Sequence, residues 1–345
     1  MGILDVFKKQ KEKNIENKEN ATEGGIINYQ NLIKKYPWII EENQNVILSP
    51  DSDGFLCGLL MSHFYNWKIV GYYDGKILIL KDKLKAKDCI FLDMEIFRKE
   101  VRSLGQHMLL FNKKDKPSNW NNLDNCIQAN NLREYDAKSN FSLKYPFGSI
   151  HLLLGIIGSK KKIEIKESAI CPLLYTDGTF KNLFNYPENC LSWLNFLEAN
   201  KEGSPLNKLF FNRHYTISSL MVALREFFDK LKEINEGKRG GDKLKISDSS
   251  GKPVNLVKSG ETFSVNDGQK NKIINLLKIL EDLTGWGFAD KNWIFDDFSL
   301  YKFEKGTIVP SNERFRNLIN KNPLSWAMTS SLAIEYTLEK PDKLP

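Results

Sequence analysis

Asn45 to Cys57, read NVILSPDSDGFLC, constrains the chain more than any other stretch. Val46, Ile47 and Leu48 run into Ser49-Pro50-Asp51-Ser52-Asp53-Gly54, and an apolar segment follows from Phe55 to Tyr65, so the spacing predicts a strand, a tight turn and a helix. Two carboxylates one residue apart suit no core, because an unpaired buried charge costs several kcal/mol. At the carboxyl end of a strand in an α/β sheet, where ligands bind, the same pair suits a metal or phosphate site. The plainer reading makes Asp51 or Ser52 only the cap of the helix beginning near Gly54.

Further along, acids recur after apolar segments. Cys89-Ile90-Phe91-Leu92 reads as a short buried strand ending on Asp93, and Ser168 to Tyr175 leads apolar chain into Thr176-Asp177-Gly178. His107 stands between Gly105-Gln106 and the apolar run Met108 to Phe111, taken as a strand from Leu104, where an imidazole would reach the same crevice as Asp93. Lys68 to Tyr73 and Lys76 to Leu80 supply two more strand-like runs. This order predicts an α/β fold: a doubly wound, mostly parallel sheet with a second, smaller α+β domain.

The expected divisions are a flexible charged tail over 1–24, the α/β domain over 25–190, connecting helices over 191–235, and a C-terminal α+β substrate or partner domain over 236–345. Within the connecting segment, Ile217, Leu220, Met221, Leu224, Phe227, Phe228 and Leu231 fall at helical spacing and predict a core-facing spine. Asn271 to Leu283 predicts a second amphipathic helix, stopped by Gly285. Gly237-Lys238-Arg239-Gly240-Gly241 reads as a flexible basic loop and lacks the P-loop pattern.

Composition narrows the class of protein. With 345 residues, 41% of them hydrophobic, the chain has enough apolar material for a large core and for two domains. It has no apolar run long enough to span a bilayer, and its first residues carry charge where a signal peptide needs its apolar stretch, so a cytoplasmic protein with no membrane partner is expected. Cys57, Cys89, Cys126, Cys171 and Cys190 form no CxxC pair and read as reduced thiols. The net charge of +7 accommodates a polyanion, and the Ile3 to Phe7 cluster in the tail offers a docking element for a protein partner.

Taken together, SPDSDGFLCG, FLDMEI, LGQHM and LLYTDGT resemble the successive motifs of the DHH phosphoesterase superfamily, over about residues 45 to 180. Ser49 stands near the family's leading His, and of the Asp-His-His triplet only His107 is kept, after Gly105-Gln106. The resemblance implies a metal-dependent phosphodiesterase or nuclease acting on nucleic acid or oligonucleotides. It implies Asp51, Asp53, Asp93, His107 and Asp177 as metal ligands, Asp53 and His107 as the catalytic pair, and Mn²⁺ or Mg²⁺ as the ion; carboxylate oxygen suits both, and the imidazole favours Mn²⁺ over Ca²⁺. The missing triplet residues leave open a degenerate nucleotide-binding or assembly module. A haloacid-dehalogenase-like phosphatase is a further alternative, with Asp51 as nucleophile, Asp53 as acid and Asp296-Asp297 as Mg²⁺ ligands, although Phe55 stands where that class has Thr.

Overall fold

The computed structural model describes residues 22–23, 25–238 and 240–345, so the expected tail lies outside the described residues apart from 22–23. Val46, Ile47 and Leu48 are fully buried in β1 (Asn45–Leu48), an interior strand of a nine-stranded sheet. Its other strands are β2 (Lys68–Tyr73), β3 (Ile77–Lys81), β4 (Cys89–Leu92), β5 (Arg102–Gly105), β6 (Cys126–Gln128), β7 (Leu256–Ser259), β8 (Thr262–Val265) and β9 (Phe298–Lys302). They lie in the order β6-β5-β4-β1-β2-β3-β9-β8-β7. From β6 to β2 every pairing is parallel, and from β2 to β7 every pairing is antiparallel. The fold is the expected α/β type, with a smaller α+β unit attached.

Alternation along the short strands sends neighbouring side chains into two separate layers. Val46, Leu48, Ile90 and Leu92 pack into the helical layer. Ile47, Cys89 and Phe91 pack on the opposite face with Phe303 and Leu324. The helical layer comprises α1 (Ser52–Tyr65), α2 (Ser149–Gly158), α3 (Glu167–Tyr175), α4 (Ile217–Ile234) and α5 (Asp267–Thr284). Helix α1 has no distinct polar face and is buried over nearly its whole length, as suits a helix enclosed between sheet and other helices. Gly54 lets it start so close to β1: a Cβ there would stand 2.0 Å from the Ser49 carbonyl oxygen.

The opposite face is covered by the chain's last segment. Strands β10 (Glu304–Ile308), β11 (Ser325–Ser330) and β12 (Ala333–Leu338) form an antiparallel sheet in the order β10-β12-β11. Helix α6 (Asn312–Asn320) buries Phe315, Leu318 and Ile319 against Trp326, Phe97 and Met108. Arg98 ties this unit to the large sheet, donating to the carbonyls of Phe97 at 2.6 Å and Pro323 at 2.9 Å and to Glu339 Oε2 at 2.6 Å.

Three expectations change. Residues 236–345 do not stand apart, since β7, β8 and β9 extend the central sheet and α5 joins its helical layer; the smaller α+β unit begins near residue 303. The segment after Leu104 is no continuous strand: β5 ends at Gly105, and His107 lies beyond it. On α4 only Leu220, Phe227 and Leu231 are buried, whereas Ile217 and Met221 are 62% and 59% exposed. Among the described residues, no helix is long and apolar enough to cross a membrane.

Candidate metal centre

The carboxyl ends of β1, β4 and β5 bring the acids together. Asp51 caps α1, its Oδ1 accepting from the Gly54 N–H at 3.3 Å, so the plain capping reading describes part of its role. Its Oδ2 lies 4.0 Å from Lys243 Nζ. Asp53, in the first turn of α1, is wholly buried, and both of its oxygens are held by the N-terminus of α2: Oδ2 accepts from Ser149 N–H at 2.6 Å and Oδ1 from Ile150 N–H at 3.0 Å. The free N–H groups and dipole of a helix start stabilise such an anion. Gly148 makes the approach possible, because a Cβ there would stand 2.8 Å from Asp53 Oδ2.

Asp93 is the first residue after β4 and is buried, with its Oδ1 accepting from Ser149 Oγ at 2.7 Å. Asp177 lies between α3 and the short helix Thr179–Asn185, and its Oδ2 accepts from Gln106 Nε2. Both acids adopt the left-handed backbone region, with φ of 61° and 51°. Non-glycine residues held there store of order 1–3 kcal/mol each, a strain that clusters at functional sites. His107 lies between two carboxylates, its Nδ1 3.6 Å from Glu95 Oε2 and its Nε2 4.0 Å from Asp177 Oδ2. Glu95 is itself buried and fixed by the Met108 N–H, 2.8 Å from its Oε1. Ligand atoms of Asp93, His107 and Asp177 all lie within 4.8 Å of one another.

The electrostatics of this group are those of an anion cluster short of positive charge. Burial pushes the Asp53 carboxyl well above the usual range, and the charges of Asp177 and Asp51 push it further. Asp93 rises likewise, from burial and then from Asp53, Asp51 and Asp177. Asp177 is the exposed member of the group, and its carboxyl still rises, through desolvation where it faces the cluster and through Asp51, with His107 pulling against it. For His107, burial favours the neutral ring, but Glu95 and then Asp177 and Asp51 outweigh it and raise the imidazole to about 9. A divalent cation beside Asp93, Asp177 and His107 would reverse the penalty on the acids and displace the His107 proton. Two carboxylates with one imidazole form a donor set that such an ion accepts.

Two clefts open on the cluster. The larger, about 620 Å³, is lined by Asp51, Asp93, Glu95 and His107 and rimmed by Lys76, Lys243, Lys245 and Lys305. Lys305 is paired with Glu335 at 2.6 Å, and Lys76 donates to the Asp248 carbonyl. Lys243 and Lys245 stay exposed because the chain alternates here: Leu244 and Ile246 enter the core while the lysines face outward. The Leu244 N–H, donating to the Pro50 carbonyl at 2.9 Å, fixes this stretch beside the β1 turn. The smaller cleft, about 320 Å³, is lined by Gln106, His107 and Asp177 together with Lys144, Asn130 and Asn182.

Of the five expected ligands, Asp93, His107 and Asp177 form the tight group, while Asp53 and Asp51 adjoin it through the charges they exert. Asp297 instead pairs with Lys81 at 2.8 Å on the surface, and neither it nor Asp296 lines either cleft. Within the basic loop, Arg239 lies outside the described residues; the lysines that reach the cleft are Lys243 and Lys245, just past the loop. Sequence reasoning also missed Glu95, whose signal was a second acid two residues after Asp93 in FLDMEI, and Lys243 and Lys245, whose signal was the alternation in KLKI. No family description, no curated protein and no solved structure matches the chain.

Proposed function

We propose that the protein is a divalent-metal-dependent phosphodiesterase, acting on nucleic acid or oligonucleotides in a reducing, cytoplasmic setting. The observation that carries this reading is the convergence of Asp93, His107 and Asp177 within 4.8 Å, beside a cleft rimmed by exposed Lys243 and Lys245. Five free cysteines, all buried, fit the compartment. Asp93, Asp177 and His107 would hold Mn²⁺ or Mg²⁺, which when bound supplies a Lewis acid for the phosphoryl oxygens and acidifies a water. Asp53, held by two backbone N–H groups, fixes α2 against α1 and so sets Ser149, whose hydroxyl donates to Asp93. Glu95 orients the His107 ring, and Gln106 orients the Asp177 carboxylate. Lys243 and Lys245 attract and hold the phosphates of the substrate. In the overall reaction water adds to phosphorus, the ester oxygen leaves with a proton, and a phosphomonoester and an alcohol result.

The test is hydrolysis of bis(p-nitrophenyl) phosphate and of labelled single-stranded DNA and RNA with Mn²⁺, Mg²⁺ or EDTA, comparing the natural chain with Asp93→Ala and Asp177→Ala. The reading expects metal-dependent cleavage that both variants lose. Cleavage that persists in EDTA, or in both variants, contradicts it. One observation favours a second reading, a binding module without turnover: both oxygens of Asp53 are already engaged by α2, which leaves a three-residue ligand set suited to a single ion. Divalent-ion binding without cleavage of any diester would select that reading.

A further inference from the structure

The larger and smaller clefts reach the acidic cluster from two sides. Asp93 and Glu95 line only the larger, Asp177 and Gln106 only the smaller, and His107, Ala327 and Thr329 form a wall common to both. Since Asp93, His107 and Asp177 present ligand atoms within 4.8 Å of one another, the cluster stands at the junction of the two limbs.

The limbs differ in chemistry. Exposed lysines and the half-buried ring of Tyr336 mark the larger one, a surface for phosphates and a base face. The smaller carries a single lysine, Lys144, whose Nζ gives one hydrogen bond to the Met328 carbonyl at 3.1 Å and keeps two donors. Asn182 joins it there, its Nδ2 donating to the Pro146 carbonyl at 2.6 Å while its Oδ1 remains an acceptor. One lysine, the amides of Asn182, Asn130 and Gln106 and the Thr329 hydroxyl make a poor polyphosphate site and a good match for the hydroxyls and base edge of a nucleoside. The chain just past Asn182 also exposes two aromatic rings, Phe184 and Tyr186, at 60% and 51%. A phosphomonoester or a lone terminal phosphate would need only the larger limb.

We infer that the two limbs together hold one single-stranded oligonucleotide that continues on both sides of the cluster, phosphates over Lys243 and Lys245 and a nucleoside in the Lys144 and Asn182 limb. The inference rests on the reading of the cleft as a phosphodiester site and specifies its substrate: a chain with a nucleotide on each side of the reacting phosphorus. Asn182 and Lys245 are then specificity residues on opposite limbs of one site.

Fluorescence anisotropy with labelled single-stranded DNA and RNA of about two, four and eight nucleotides, in EDTA and again in Ca²⁺, tests this on the full chain, with inorganic phosphate as the short competitor. Affinity is expected to rise with length, and Asn182→Ala and Lys245→Ala are each expected to weaken the longest oligonucleotide about fivefold, the loss of one hydrogen bond or phosphate contact. Circular dichroism establishes that both variants are folded. Affinity independent of length, or an Asn182→Ala variant that binds as the natural chain does while Lys245→Ala weakens, overturns the two-limb site. Hydrolysis of bis(p-nitrophenyl) phosphate without oligonucleotide binding overturns this inference and leaves the phosphodiesterase reading standing. Oligonucleotide binding sensitive to both variants, with no diester cleaved in any divalent metal, does the reverse.

Discussion

Replacing Asp93 by Asn should stabilise the metal-free protein and abolish its stabilisation by divalent ions. Asp93 is fully buried, with Asp177 repelling and His107 attracting it from ligand atoms within 4.8 Å. At an effective dielectric constant near 20, each of these terms is about 3 kcal/mol, and being of opposite sign they nearly cancel. What remains unbalanced is the desolvation of the carboxylate and the repulsion from Asp53 and Asp51, so the neutral amide should gain about 1–3 kcal/mol at neutral pH. The amide oxygen still accepts from Ser149 Oγ, so the geometry around α2 is kept. Differential scanning calorimetry at pH about 7.5 in EDTA should show Tm raised by a few degrees. Added Mn²⁺ at about 100 times its Kd should raise the natural chain by about 2.7 kcal/mol and the variant by far less. An Asp93→Asn variant that melts lower in EDTA, or that gains as much from Mn²⁺ as the natural chain, would refute the account of the cluster as an uncompensated anion.

The remaining predictions follow from the same geometry and from the packing around it. Because Asp53, Asp93 and Asp177 are raised from 3.8 in the folded chain, their contribution to stability is complete below the unfolded carboxylate range and is lost as pH climbs through the raised values. His107 acts in the same direction, its contribution present below 6.5 and lost through about 9. Urea titrations in EDTA should therefore show stability falling from pH about 4 to about 9 beyond what the other groups impose, and Asp93→Asn should flatten that fall. Gly148→Ala places a methyl 2.8 Å from Asp53 Oδ2 and should cost about 1–3 kcal/mol in the same titration, with a backbone shift at the start of α2. On α4, Phe227→Ala should cost about 3 kcal/mol or more while Met221→Ser stays within about 0.5 kcal/mol, since the first side chain is 3% exposed and the second 59%. Equal effects at the two positions would contradict the exposed face.

The parts of the fold that the sequence revealed are those whose cause is local. Val46 to Tyr65 carries its own strand, turn and helix, and the Gly54 contact with Ser49 is six residues or fewer in span. Cys89 to Asp93 was legible for the same reason, a buried apolar run ending on an acid. Asp177 was found as an acid after an apolar segment, although that segment is the helix α3. The pairing of β9 with β3 had no such signal, because it joins Phe298–Lys302 to Ile77–Lys81 across more than two hundred residues and depends on the packed whole. Periodicity in α4 marked an apolar stripe but not how much of it a neighbour covers, and the exposure of Ile217 and Met221 is the part it left undetermined. Glu95 hid among apolar residues, and its role appears only where the chain beyond β5 returns His107 and the Met108 N–H to it.

Crystals soaked in Mn²⁺ and measured at the manganese absorption edge show whether the cluster holds an ion. One anomalous peak is expected at about 2.0–2.3 Å from Asp93 and Asp177 oxygens and the His107 ring nitrogen, lost in Asp177→Asn. A protein that binds no manganese there, or that binds it only at surface carboxylates, would contradict the metal centre and every step built on it.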